Sequence, residues 1–305
     1  MNSVKNKFSY VLKSIKKDVS LKPVLNDLSG KTYVISGASR GIGLSIAKKI
    51  SILGGNVAIL GKTSEPHPKL EGTINTAVEE IKSQFQSNDL NDNVLGLICD
   101  IRNNDNIDNS VKKIVDRFRN IDGVILNASA LCLKPTLNQS HKEIDLMSSV
   151  NINGTFKVGK ECLKYINKSG NGNVLIISPP LDMLYNDDWW TNHLYYSISK
   201  FNMSLMAKYW DKEFPNIGVN TLWPRTTIAT APVKNLLGGD EMINISRKPE
   251  IMGDAASYIL RADPKLCSGK NFIDDEVLAS VDVDVEKYRL NSEIKEKDLM
   301  PDFFC

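Results

Sequence analysis

The stretch Ser36-Gly37-Ala38-Ser39-Arg40-Gly41-Ile42-Gly43 constrains this chain more than any other. Before it, Lys31-Thr32-Tyr33-Val34-Ile35 is β-branched and aromatic and reads as a buried strand. After it, Leu44-Ser45-Ile46-Ala47-Lys48-Lys49-Ile50 carries apolar residues at helical spacing. The three glycines therefore fall in a strand-to-helix turn. Gly37 turns where a side chain would clash, and Gly41 and Gly43 let backbone approach a ligand and let the helix pack on its strand. The helix N-terminus then presents free N–H groups and a positive dipole end. Strand, glycine loop and helix occur in the order that a dinucleotide pyrophosphate requires.

From Lys31 the chain alternates short apolar runs with longer helical patterns. The strand candidates are Tyr33–Ile35, Asn56–Leu60, Val94–Cys99, Gly123–Leu126, Asn173–Ile177, Gly218–Leu222 and Asn271–Ile273. Helical patterns between them include Ala77–Gln86, Ile107–Arg119, Glu143–Tyr165 and Tyr196–Phe214. This alternation predicts an α/β fold, a Rossmann-type doubly wound parallel sheet in a single domain with an N-terminal helical extension. The expected boundaries are 1–29 for the extension, 30–280 for the domain and 281–305 for a tail. Asn88–Asn93 reads as a polar loop, and the Asn/Asp-rich Asn103–Asn109 as a turn and helix N-cap. After Asp275 the chain reads as charged and irregular, but Met300-Pro301-Asp302-Phe303-Phe304-Cys305 is apolar enough to dock on the domain or on a second subunit in a homo-oligomer.

In the first 29 residues, Lys5, Lys7, Lys13, Lys16 and Lys17 alternate with Phe8, Tyr10, Val11, Leu12 and Ile15. The pattern is a basic amphipathic helix, either lying on the domain or serving as a targeting or membrane-surface segment. The lack of arginine and the presence of Asp18 argue against a mitochondrial address. Lys and Arg number 38 against 36 Asp and Glu, a net charge of +2 that gives no argument for nucleic acid. No apolar run approaches the ~20 residues of a membrane span. The five cysteines (Cys99, Cys132, Cys162, Cys267 and Cys305) are scattered and odd in number. No cysteine pair or histidine has metal-ligand spacing, so no metal is expected. A reducing intracellular compartment is expected, whether cytoplasmic, mitochondrial or peroxisomal.

Tyr196-Ser197-Ile198-Ser199-Lys200 carries the second signal. Tyr196 and Lys200 stand at i and i+4, on one helix face. A phenol with a pKa near ~10 is a poor acid or base at neutral pH. A nearby ammonium favours the phenolate and pulls that value down. Such a pair beside a nicotinamide delivers or accepts a proton as hydride moves. Tyr195 is a decoy, because its i+4 neighbour is Ser199.

On these residues the chain resembles the short-chain dehydrogenase/reductase family, over about Leu28 to Glu276. Within it, Lys62-Thr63-Ser64-Glu65-Pro66-His67-Pro68-Lys69-Leu70, Ile177-Ser178-Pro179-Pro180, Leu222-Trp223-Pro224 and Pro301-Asp302-Phe303-Phe304 resemble the hydroxysteroid dehydrogenase-like protein 2 group. Members of that group often carry a sterol-carrier domain, before which this sequence is expected to stop. The resemblance implies that Ser36, Gly37, Ala38, Ser39, Arg40, Gly41, Ile42 and Gly43 cradle the pyrophosphate and that Asp100 touches the adenine. It implies that Asn127 borders the cofactor ribose, where Leu126 replaces the first of the family's two asparagines. Asn151 would hold a water of the proton relay, Tyr196 would be the acid/base, and Lys200 would bind the ribose and tune Tyr196. Pro224 to Thr227 would lie near the nicotinamide.

The chain departs from the family at the catalytic serine, whose place just after the fifth strand is taken by Pro179. Ser178 lies one position earlier, where strand alternation turns it to the other face unless the two prolines re-aim it. It is retained here as the candidate carbonyl-binding residue; the alternative donors are Tyr196 itself or a group from the Leu181–Leu194 insertion such as His193. The added residues Leu181–Leu194, with Met183, Leu184, Tyr185, Trp189 and Trp190, read as a loop on the domain or an apolar lid. The second strand is followed by Gly61, Lys62 and Thr63, without the acid that binds the ribose of NAD. Arg40 and Lys62 suit a 2′-phosphate. The expectation is therefore an NADP(H)-dependent oxidoreductase that interconverts a carbonyl and an alcohol on an apolar, lipid-like substrate. The alternative is a catalytically weak NADP(H)- or lipid-binding protein of the same fold.

Overall fold

The computed structural model describes residues 21, 28–65, 71–84, 92–169, 171–185 and 193–305. The amphipathic helix read in the first 29 residues lies almost wholly outside them, as do residues 66–70, most of the 88–93 loop, and Trp189 and Trp190.

Seven strands form one parallel sheet: β1 Thr32–Ser36, β2 Asn56–Gly61, β3 Val94–Ile98, β4 Gly123–Leu126, β5 Asn173–Ile177, β6 Gly218–Trp223 and β7 Asn271–Ile273. Their order is β3-β2-β1-β4-β5-β6-β7, so the winding reverses between β1 and β4. In an open α/β sheet, ligands bind at that reversal, beyond the carboxyl ends of the strands. The strands are apolar on both faces because helices cover both. Tyr33 and Ile35 face one core with Ile46 and Ile50 of helix α1 (Gly41–Ile52), while Val34 faces the other with Ile107 and Ile114.

Helix α2 (Ile74–Lys82) starts earlier than its apolar spacing suggested, because Thr73 and Thr76 cap it reciprocally. Helix α3 (Asn104–Phe118) is capped by the Asn103 side chain. The next helix is continuous but not uniform: α4 (His141–Met147) passes through a π-helical stretch at Ser148–Gly154 into α5 (Thr155–Ser169). Helix α6 (Leu194–Glu213) carries the Tyr-Lys pair.

The short α7 (Gly239–Asn244) and the longer α8 (Glu250–Arg261) follow β6. The chain after Asp275 is not irregular throughout: α9 (Asp274–Ser280) opens with Asp274, Asp275 and Glu276, acids that favour a helix N-terminus. The 300–305 segment docks on the domain, with Thr226 and Pro301 bridged and Phe304 buried.

Candidate active site

The glycine loop is fixed by the end of β4. The Ser36 hydroxyl accepts from the backbone N–H groups of Asn127 and Ala128, both at 3.1 Å. The Asn127 amide donates to the carbonyls of Ser36 (3.1 Å) and Gly37 (3.0 Å). This knitting leaves no room for side chains. A Cβ on Gly37, whose φ is +69°, would stand 2.7 Å from the Ala128 Cα. A Cβ on Gly43 would stand 2.6 Å from the Asn127 amide nitrogen. Helix α1 then begins at Gly41 with no side-chain cap and no acid in its first turn. Its first N–H groups are left for a ligand of negative charge.

A cavity of about 510 Å³ runs from this loop to the Tyr-Lys pair. Gly37, Ser39, Arg40, Gly41 and Ile42 line one end, Lys62, Asp100 and Asn127 flank it, and Tyr196 and Lys200 close the other. Ser36, Ala38 and Gly43 do not reach the cavity and shape the loop from behind. The Arg40 guanidinium donates to the Gly72 carbonyl, and its buried Nε has no partner among the described residues. Arg102 grips the Asp100 carboxylate through Nε at 2.9 and 3.0 Å and holds its pKa below the usual range.

Tyr196 and Lys200 are both buried and both face the cavity. The Lys200 ammonium donates to the Ile177 carbonyl at 2.7 Å and lies 5.0 Å over the Trp223 ring. Burial pushes its pKa down to about 7, against the opposing pull of Asp302. Burial, then the Asp302 charge, raises the Tyr196 phenol. Tyr195 is the decoy its spacing implied: its hydroxyl pairs with Ser148, away from Lys200.

Ser178 and Thr227 stand elsewhere than the resemblance implied, while Asn151 keeps its place on the helix. Ser178 is fully buried outside the cavity lining, and its hydroxyl has no partner. The two prolines do not bring it into the site. Asn151 sits in the π-helical stretch, where its amide donates to the Ala130 carbonyl (2.9 Å) and Ser199 hydroxyl (2.8 Å) and accepts from Ala130 N–H (2.7 Å). Both its N–H donors are engaged within the fold. Thr227 is buried against Ser246, hydroxyl to hydroxyl at 2.8 Å, and does not line the cavity.

The residues missed are Thr230, Pro232, Val233 and Leu237, which line the cavity beyond Pro224, together with Arg102, Asp302 and Phe303. Thr230 was recoverable by extending the stretch after β6 a few residues; Asp302 and Phe303 carry no local signal of where they dock. In the Leu181–Leu194 insertion, the described residues Leu181–Tyr185 form a short 3₁₀ turn that does not line this cavity. The His193 ring lies 5.7 Å from that of Phe303.

A glycine loop on a helix N-terminus and a Tyr-Lys pair are joined by one cavity at the sheet's reversal. The short chain dehydrogenase family matches residues 31–237. The chain belongs to that family, oxidoreductases that bind nicotinamide cofactors. Hydroxysteroid dehydrogenase-like protein 2 of Xenopus laevis is 40% identical over 284 residues, covering 92% of this chain and 65% of that protein. This chain therefore spans just under two thirds of that relative's length. A crystal structure of a putative dehydrogenase from Xanthomonas campestris superposes with a TM-score of 0.83 at 39% identity, covering 91% of this chain and 98% of that one. A short chain dehydrogenase from Mycobacterium thermoresistibile gives 0.80 at 39%, covering 90% and 95%.

Proposed function

We propose that this protein interconverts a carbonyl and an alcohol on an apolar, lipid-like substrate with NADP(H). The carrying observation is that Tyr196 and Lys200 open into the same cavity as the glycine loop. Bound there, the cofactor would supply or take up a hydride. The uncapped start of α1 and the Gly37 and Gly43 contacts fit its pyrophosphate. Arg40 and Lys62 fit the 2′-phosphate, and the unpartnered Arg40 Nε supports that placement. Tyr196 gives a proton to the substrate oxygen in reduction and takes it back in oxidation. Lys200, held by Ile177, stabilises the phenolate. Leu131, Leu146, Val233, Leu237 and Phe303 give the cavity an apolar wall, which supports an apolar substrate.

Titrating NADPH and NADH against the protein tests the cofactor: NADPH should bind tighter, and Arg40→Ala and Lys62→Ala should each erode the difference. Equal or tighter NADH binding overturns that assignment. NADPH oxidation with steroids, acyl ketones, aldehydes and quinones tests the substrate. The position of Ser178 outside the cavity favours a second reading, a catalytically weak NADP(H)- or lipid-binding protein. It predicts NADPH binding without steady consumption across that panel.

A further inference from the structure

Trp223 ends β6 and lines the cavity beside Lys200. Its side chain is buried and held both at its edge and on its ring. The indole N–H donates to the Phe303 carbonyl at 2.8 Å, and the Phe304 ring leans on it with centres 5.9 Å apart. The N–H bond fixes the plane of the ring. The Lys200 ammonium lies over that plane, 5.0 Å from the ring centre. Aromatic rings carry negative charge density on their faces, and among them tryptophan attracts a cation best, within about 6 Å of the ring centre.

Lys200 needs such a partner. A buried ammonium is costly unless fixed charges or dipoles replace its water. Its Nζ donates to the Ile177 carbonyl of β5 at 2.7 Å. The titratable groups that face it are Tyr196, one turn back on α6, and Asp302 of the docked 300–305 segment. Burial pushes the Asp302 carboxyl up to about 8, so at neutral pH it is mostly protonated and a weak counter-charge. The indole face does not titrate. We propose that Trp223 is a positioning residue for the Tyr196–Lys200 pair, its ring face holding the buried Lys200 ammonium in the charged form beside the Ile177 carbonyl. The inference rests on reading that pair as the acid/base.

The consequence runs through the lysine. Burial drives Lys200 down to about 7, which leaves its charge in balance near neutral pH. A cation on a desolvated indole face is held strongly enough to move such a midpoint by about one pH unit or more. A charged Lys200 favours the Tyr196 phenolate, and a neutral one does not. The ring that meets Lys200 also anchors Phe303 through its N–H, so β6 joins the docked 300–305 segment to the pair on α6.

Fluorine on the indole drains charge density from its face while keeping its shape and its N–H. The full chain is therefore made with ζ-15N-lysine and with mono-, di- or trifluorotryptophan in place of Trp223 alone. The Lys200 signal is identified by its loss in Lys200→Ala and titrated by NMR without cofactor. Its midpoint should fall stepwise with each added fluorine. Trp223→Leu, which removes the face altogether, should lower it by about one pH unit or more. Trp223→Phe keeps a weaker face and should fall between Trp223→Leu and wild type. A midpoint that is unchanged or raised across the fluorinated series overturns the proposal, because a ring that serves packing alone leaves Lys200 unmoved. Should either variant not fold, the fluorinated series decides by itself, since it leaves the packing intact. Failure of the wild-type protein to bind NADPH or NADH would instead defeat the reading of the site, a result separate from this titration.

Discussion

Tyr196 has a burial-raised pKa and cannot serve as a base at neutral pH by itself. In the proposed reaction its competence would depend on the ammonium four residues on and on the cofactor held in the cavity that both face. Tyr196→Phe removes only the hydroxyl, and the ring still packs between Phe303 and Phe304. Turnover in any active carbonyl assay should fall by about 10²–10⁴, with NADPH affinity nearly unchanged by fluorescence titration. Retained activity would remove Tyr196 from the mechanism. Lys200→Ala should lose turnover and weaken cofactor binding together. For Ser178 the buried, partnerless hydroxyl dictates the opposite outcome. Losing a donor to the substrate oxygen costs about 10²–10³ in kcat, so Ser178→Ala should keep kcat within a small factor of wild type if the oxygen is held by Tyr196 instead. A fall of that larger size would place Ser178 in the site after all.

Among the elements, the 300–305 segment has the largest unforeseen effect on the site. Phe304 is buried among Tyr196, Phe201 and Trp223, a cluster drawn from α6, β6 and the segment itself. Phe304→Ala should destabilise the fold by about 3–5 kcal/mol, read as a lowered denaturant midpoint at unchanged slope. It should also impair turnover, because the Phe304 ring that stacks on Tyr196 is lost. A variant as stable as wild type would show that the segment is not docked in solution. Sequence patterns resolve local periodicity, and the seven strands are local: each is a short run of apolar and β-branched residues closed by polar ones, and each lies within a residue or so of its expected bounds. The Tyr196–Lys200 pair is legible for the same reason, since one helix turn joins the two side chains. Helix α9 was hidden because its acidic start resembles a loop until its position at a helix N-terminus is known. Asp302 and Phe303 were hidden because nothing in their neighbours says that they dock on residues from β6 and α6. Ser178 failed differently. Strand alternation turns it away from the cavity, and the two prolines that follow do not re-aim it.

At the scale of the whole molecule, one charge cluster ties the region of Glu296 to the end of β6. Arg225, just beyond β6, pairs with Asp275 at 2.8 Å and with Glu276. Arg247, only 3% exposed, reaches Asp275 at 3.3 Å and Glu296. Asp274 lies under them, fully buried. One of its oxygens accepts from the Arg225 and Asp275 N–H groups at 2.9 and 2.8 Å, and the other has no partner. Burial, and then Asp275, pushes its pKa up to about 7, against the pull of Arg247 and the two N–H groups. An acid with a folded pKa above its unfolded value of about 3.9 stabilises the fold fully only below that lower value. As the pH rises from 4 to about 7 the unfolded chain gives up this proton and the folded chain keeps it, so stability is lost across that window and levels off above it. Asp274→Asn keeps the acceptor oxygen and cannot ionise. Its melting temperature relative to wild type should therefore climb between pH 4 and 7 and then stay flat. Comparing the two proteins at each pH cancels the titration of groups that do not interact with Asp274. A difference that stays constant or falls over that range would mean that Asp274 is ionised in the folded protein at low pH, with Arg247 outweighing its burial.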